Sequence, residues 1–308
     1  MQYRLVTRSD FDGLTCAILL REIDMLSDIV FAHPKDMQDG VVSITREDII
    51  TNLPYHPNAY LVFDHHLSEA VRVDHKPENF ILDPSAPSAA RIVYNYFGGK
   101  DRFPHAEFYD LMAAVDKSDS GQFSKDEVLH PKGWILLNFL MDSRTGLGRF
   151  KNFRLSNYDL MLRLIDLCRE LPIDEVLTSP DVKERVDLYN QHQEMFIDQI
   201  KRRTVISGNV GVIDLRDDKT IYSGNRFMIY ALFPAISVSI HVMWGKTPGR
   251  TIFAVGKSIF NRMSQTDVGP LMLKYGGGGH KAAGTCQVPS ENADTVLEEL
   301  VSRINADG

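Results

Sequence analysis

The stretch Ala59-Tyr60-Leu61-Val62-Phe63-Asp64-His65-His66 runs from unbroken apolar residues straight into three side chains of the kind that hold metal ions. An apolar run this short and continuous predicts a strand buried on both faces, as in a parallel sheet. Open parallel sheets carry their ligand crevice at the carboxyl ends of the strands. Asp64, His65 and His66 are therefore expected at the mouth of a crevice, outside the core. A lone histidine there would read as part of a loop, whereas two of them after an Asp read as ligands.

The pattern recurs at the start of the chain. Residues 3–7 predict a strand that ends in Arg8-Ser9-Asp10-Phe11-Asp12-Gly13, and a helix follows with Leu14, Ala17, Ile18 and Ile23 among its apolar positions. In an extended turn Asp10 and Asp12, two apart, lie on one side of the chain and can share a cation; the same pair also suits a helix N-cap. Residues 28–32 predict a second strand, ending at His33-Pro34-Lys35-Asp36, and residues 48–54 a third strand and turn. Residues 80–90 predict a short strand, a Pro-punctuated turn and the start of a helix, with Ser85 and Ser88 at that helix start. A further apolar helix, Leu111-Met112-Ala113-Ala114-Val115, runs into an acidic cluster with Asp116 and Asp119. From Trp134 to Ile200 the pattern is helical, punctuated by Pro172 and Pro180, and the charged segment from Val182 to Arg203 predicts a long, solvated connecting helix.

Beyond residue 205 short β-branched runs take over, at residues 210–214, 236–242 and 251–255, accompanied by helices near 225–232 and 294–304. Within this part lies Lys274-Tyr275-Gly276-Gly277-Gly278-Gly279-His280-Lys281. Four consecutive glycines let backbone N–H groups turn toward an anion without side-chain obstruction. A flexible linker is the other reading of such a run, but His280, Lys281 and a strand at 285–288 follow at once.

With 308 residues, 44% hydrophobic and 24% charged, the chain is long enough for two domains with their own cores. The formal net charge of -7 argues against non-specific duplex DNA binding, which needs a basic surface. Cys16, Cys168 and Cys286 have no CxxC spacing, so neither a disulfide framework nor a zinc knuckle is expected. No cationic and apolar leader opens the sequence and no apolar run approaches membrane-spanning length, so a cytoplasmic protein is expected. Carboxylates with a few imidazoles suit Mn²⁺ or Mg²⁺. With a glycine-rich basic loop for an anion, they describe phosphoester hydrolysis by a metal-activated water.

Asp10-x-Asp12-Gly13, Asp64-His65-His66 and Gly276-Gly277-Gly278-Gly279-His280, in this order, resemble the DHH phosphoesterase family with its DHH-associated C-terminal domain. Its members include nano-RNases and exopolyphosphatase-related proteins. The resemblance covers essentially the whole chain. It implies an α/β architecture: a parallel-sheet DHH domain over residues 1–180, a helical linker over 181–204, and a smaller substrate-binding α/β domain over 205–308. The active-site cleft is expected between the domains.

Carried over residue by residue, the resemblance assigns metal binding to Asp10, Asp12, Asp64, His65 and a fourth-motif acid that falls at Asp116 or Asp119. Asp12 and His65 match one metal position and Asp10 the other. Two positions depart from the family pattern. Arg8 stands where a His is expected, and Asn52 where a bridging Asp is expected. One ion is therefore expected to be held well, with the second position weakened or lost and Arg8 able to stand in for its charge. His33 and Asp36 are candidate replacement ligands. His66 is expected to orient or neutralise the phosphate as a catalytic group beside Arg8. Gly276, Gly277, Gly278, Gly279, His280 and Arg262 are the substrate-binding candidates, with Arg226 and Lys281 behind them, and Tyr275 is placed to stack on a base.

The expected substrate is a short phosphorylated oligoribonucleotide or small nucleotide. The alternatives are exopolyphosphatase activity and a degenerate member that binds a nucleotide without hydrolysing it. No membrane or duplex DNA partner is expected, and the long connecting segment could supply a homodimer face.

Overall fold

The computed structural model describes residues 1–73 and 77–308. Its first sheet grows outward from β1 (Tyr3–Arg8), in which Leu5, Val6 and Thr7 are fully buried. The next elements are α1 (Phe11–Glu22), β2 (Leu26–Ala32), α2 (Pro34–Gln38), β3 (Asp48–Thr51) and β4 (Leu61–Asp64). Then come α3 (Leu67–Arg72), β5 (Phe80–Leu82), α4 (Ala89–Tyr96) and α5 (Ala106–Asp119). All strand pairs are parallel, in the order β2-β1-β3-β4-β5. The run at 59–64 thus forms an interior strand, with Val62, Phe63 and Asp64 fully buried.

This order has a switch point. After β1 the chain moves to one side for β2, then returns to the other side for β3. Ligand crevices form at such a point, outside the carboxyl ends of the two strands. The turns after β1 and β3 carry Asp10, Asp12 and Asn52. α1 is buried from Phe11 to Leu20 and packs against α4, α5 and α8 (Asn157–Glu170), so it shows no single apolar stripe.

Helical continuity from Trp134 to Ile200 is not what the structure shows. After α6 (Lys125–Leu129) and α7 (Gly133–Met141), the chain leaves helical geometry except for short 3₁₀ turns, and α8 begins only at Asn157. The cause is local: the Asp142 side chain accepts from the Arg144 backbone N–H, and Gly146 takes a left-handed φ of 85°. α9 (Ile173–Thr178) and α10 (Pro180–Arg203) complete the series, with Pro180 as the first residue of the connecting helix expected from Val182. Nor is α10 merely solvated. Val182, Arg185, Tyr189, His192, Phe196 and Gln199 are buried at alternating spacings of three and four, which is one helix face. Polar residues on that face hid the stripe.

The chain forms two compact units, Met1–Phe123 with Pro131–Asp187, and Ser124–His130 with Leu188–Gly308. The segment 124–130 is held in the second unit by Asn225 Nδ2, which donates to Val128 O at 2.9 Å, and by Gln193 Nε2, which donates to Leu129 O at 2.7 Å. The second unit continues through β6 (Thr204–Ser207), β7 (Val210–Asp214), α11 (Met228–Leu232), β8 (Val238–Trp244) and β9 (Arg250–Lys257). It ends with α12 (Val268–Leu273), β10 (Gly278–His280), β11 (Ala283–Pro289) and α13 (Ala293–Asp307). The sheet order is β10-β11-β9-β8-β7-β6, with β7 and β8 parallel and the other pairs antiparallel. Its core joins Ile240, Val242 and Phe253 to Val268 and Met272 of α12 and Leu300 and Ile304 of α13. Among the described residues no helix is long and apolar enough to cross a membrane.

Candidate active site

The site starts where β1 stops. Asp10 caps α1, its Oδ1 accepting from the Gly13 N–H at 2.9 Å. Gly13 is required by close approach, since a Cβ there would lie 2.0 Å from Arg8 O. Asp12, in the first turn of α1, is buried, and its two oxygens accept from Ala89 N at 2.9 Å and Ala90 N at 2.8 Å. Those amides open α4, whose N-terminal partial positive charge favours a carboxylate. Ser88 caps the same helix end by accepting from Arg91 N at 3.0 Å.

His65 follows β4. Its Nδ1 lies 3.3 Å from Ala86 O, a partner that can only accept, so that nitrogen carries the proton and Nε2 is left for the site. Nε2 lies 3.0 Å from Asp119 Oδ2 and 3.9 Å from Asp12 Oδ2. Asp12, His65 and Asp119 offer one donor atom each, all within 4.8 Å of one another. Burial pushes the Asp12 carboxyl up, the charge of Asp119 adds to this, and the value reaches about 7 despite His65. Burial alone would lower His65, but its bond to Asp119 and the charge of Asp12 outweigh that and raise it to about 9. Two carboxylates and an imidazole held this close, with Asp12 buried, His65 partly buried and Asp119 open to solvent, are a fitting group around a divalent cation. The carbonyl bond at Nδ1 fixes the ring as ligating histidines are commonly fixed.

Other residues singled out in the sequence turn elsewhere. Asp64 Oδ1 lies 2.7 Å from His66 Nδ1, so Asp64 holds His66 instead of joining the converging donors. Burial would lower the His66 imidazole, but the bond to Asp64 raises it. Asp116 and Asp119 share the last turn of α5, yet Asp116 accepts from Arg91 Nε at 2.9 Å, from Arg91 Nη2, and from Ser88 Oγ at 2.7 Å. Asp10 Oδ2 lies 3.1 Å from Arg8 Nε, and Asn52 Nδ2 donates to Asp10 Oδ1 at 3.1 Å. His33 and Asp36 serve as the capping box of α2, which uses them locally. The helix-start amides of Ala89 and Ala90 and the Arg91 partner of Asp116 were missed; Ser88 ahead of an apolar helix was the available signal.

In the second unit the glycine run is part of a sheet, not a free loop. Gly278 pairs with Thr285, Gly279 with Gly284 and His280 with Ala283. A Cβ on Gly277 would lie 2.1 Å from Thr285 O, so that glycine is demanded by packing. A Cβ on Gly278 would meet nothing within 4 Å. Gly276 takes a left-handed φ of 73° in the turn before the strand. His280, Lys281 and Arg262 are exposed, Arg262 Nε donating to Ile259 O at 3.0 Å. Arg226 lies over the Phe227 ring, and Tyr275 donates its hydroxyl to Glu299 at 2.8 Å. Tyr275 thus has a partner on α13.

No family model matches the chain, and no curated protein matches it. Among solved structures it is similar to a pGpG-specific phosphodiesterase, PggH, from Vibrio cholerae, with 58% identity, a TM-score of 0.87 and 100% of each chain covered. It also resembles RecJ in complex with Mn²⁺ from Thermus thermophilus, at 14% identity and a TM-score of 0.52 over 98% of this chain and 52% of that one. CDC45 from Entamoeba histolytica matches at 9% identity and a TM-score of 0.53, over 98% of this chain and 95% of that one. The last two likenesses are of fold.

Proposed function

The chain belongs to the DHH phosphoesterase family and is a phosphoester hydrolase, and from that premise we propose that its substrate is the linear dinucleotide pGpG or a close 5′-phosphorylated relative. The observation that carries the reading is the convergence of Asp12, His65 and Asp119 at the carboxyl edge of the parallel sheet. Full-length similarity to the pGpG-specific enzyme supports the substrate.

Asp12, His65 and Asp119 would hold one divalent ion, Mn²⁺ or Mg²⁺. When bound, that ion supplies charge for the phosphate and makes water a competent nucleophile at neutral pH. The remaining work falls to the chain's own side chains. Asp64 fixes the His66 ring, and its bond raises the imidazole's affinity for a proton, so that His66 would be able to offer positive charge to a phosphodiester. In the reaction a water oxygen bonds to phosphorus, the bond from phosphorus to O3′ breaks, and O3′ leaves as a hydroxyl after gaining a proton. Two mononucleotides result. In the second unit, taken by itself, Gly278 is open where a side chain would otherwise stand and offers a place for an anion.

The test is mononucleotide release from pGpG in Mn²⁺, run beside a polyphosphate chain and Asp12→Ala. Release by the native protein, reduced at least about 1000-fold in the variant, is the expected result. Phosphate released from polyphosphate alone, or dinucleotide cleavage untouched by Asp12→Ala, overturns the reading.

A further inference from the structure

We propose that this site works with one divalent ion, the Arg8 guanidinium serving as a fixed second positive charge that grips the phosphate. The proposal rests on the hydrolase reading above and deepens it.

The ends of β1 and β3 are locked side by side. Thr7 pairs with Thr51 in the sheet, Thr7 Oγ1 donates to Thr51 O at 3.2 Å, and Thr51 Oγ1 donates to Thr7 Oγ1 at 2.7 Å. The next residues along the two strands, Arg8 and Asn52, are held abreast by that lock. Asn52 adopts a left-handed φ of 55°, a region that asparagine tolerates better than most residues. Its Nδ2 lies 3.1 Å from Asp10 Oδ1 and 3.4 Å from Oδ2. The amide must face a carboxylate through its NH₂, because its oxygen would be repelled.

Asp10 is thereby used up. Oδ1 accepts from Gly13 N and Asn52, and Oδ2 faces Arg8 Nε. A metal at Asp10 would have to displace a guanidinium, an amide and a backbone N–H together. Charge gives the same answer. Asp12 and Asp119 with a neutral His65 balance one divalent ion, and Asp10 balances Arg8. A second divalent ion at Asp10 would have to share that carboxylate with Arg8; the neighbouring Asp64 keeps one buried oxygen without a partner, but its other oxygen is held by His66.

Asp10 also holds the base of the Arg8 fork beside it through the ion pair at Nε. Among the described residues the two terminal nitrogens of Arg8 make no hydrogen bond and no further ion pair, and the side chain is 35% exposed. A planar fork presented in this way suits the non-bridging oxygens of a phosphate, whose negative charge grows in the transition state. Arg8 is then a catalytic residue that touches substrate, with Asp10 and Asn52 as positioning residues.

The experiment counts ions and measures product grip separately from turnover. Mn²⁺ per chain is read by titration calorimetry and electron paramagnetic resonance for the native protein, Arg8→Gln, and the pair Arg8→His with Asn52→Asp. The expected result is one ion in the first two and a second ion in the pair. Affinity for GMP at saturating Mn²⁺ should fall about 10- to 100-fold in Arg8→Gln and recover in part in Arg8→Lys, with melting temperatures confirming folded protein. Asp10→Asn should weaken GMP binding while leaving the ion count unchanged. Two ions of comparable affinity in the native protein overturn the proposal, as does GMP affinity indifferent to Arg8→Gln. Failure of the native protein to cleave pGpG would sink the substrate reading and leave both of these measurements interpretable.

Discussion

Asp116 and Asp119 sit three residues apart on the last turn of α5, and replacing each with alanine should break the protein in different ways. Asp116 accepts from Arg91 and Ser88, with the Arg91 side chain 28% and its own 19% exposed. Exposed ion pairs contribute about 0.2–1 kcal/mol, whereas removing one partner of a fully buried pair costs about 3–5 kcal/mol. A partly exposed pair in which two Arg91 nitrogens share Asp116 Oδ2, with one further hydrogen bond to Oδ1, falls between, at about 2 kcal/mol for Asp116→Ala. In a unit of this size that lowers the melting temperature by about 4–8 °C. Mn²⁺ affinity should stay within about tenfold, because Asp116 reaches the ion only through Ser88, the start of α4 and Asp12. Asp119→Ala removes a donor 3.0 Å from His65 Nε2. Losing a direct ligand should exceed the about 10- to 100-fold typical of outer partners, hence more than about 2.7 kcal/mol of binding, with melting of the metal-free protein near native. Calorimetric titration with Mn²⁺ and thermal melts in chelator read the two quantities. Loss of Mn²⁺ binding in Asp116→Ala with an unchanged melting temperature, or native affinity in Asp119→Ala, would refute the assignment.

Gly277→Ala should cost about 2–4 kcal/mol, since its Cβ would lie 2.1 Å from Thr285 O and 2.6 Å from Cys286 Cα, both backbone atoms; Gly278→Ala should stay within about 0.5 kcal/mol, and hydrogen exchange across β11 compares them. Arg185→Leu should lose about 2–3 kcal/mol in urea denaturation. It strips donors from Leu155 O at 2.8 Å and Asp181 O at 3.2 Å and removes the stack on Phe153 at 4.1 Å.

The fold was legible wherever neighbours in the chain carry the information. The apolar run at 59–63 announced an interior parallel strand, Asp10-x-Asp12-Gly13 a strand-to-helix turn, and the β-branched runs beyond 205 a second sheet. These are matters of period and turn chemistry, which nearby residues decide. Asp64, His65 and His66 show where this stops. Adjacent in sequence, they diverge in space, because successive residues leaving a strand point to opposite sides. His65 meets Asp119, while Asp64 and His66 meet each other.

Glycine permits a loop at 276–279; only the approach of β11 shows that Gly277 is demanded by packing and Gly278 is not. Placing residues 124–130 in the second unit required Asn225 and Gln193 to arrive from far along the chain. The sequence by itself determined the strands of the first sheet, the change to a second sheet beyond 205, and that acids and histidines gather at strand ends. The tertiary structure decided which acids converge with His65, which faces an arginine and which faces His66. Those choices are competitions through space among groups from distant helices, and no local pattern encodes their outcome.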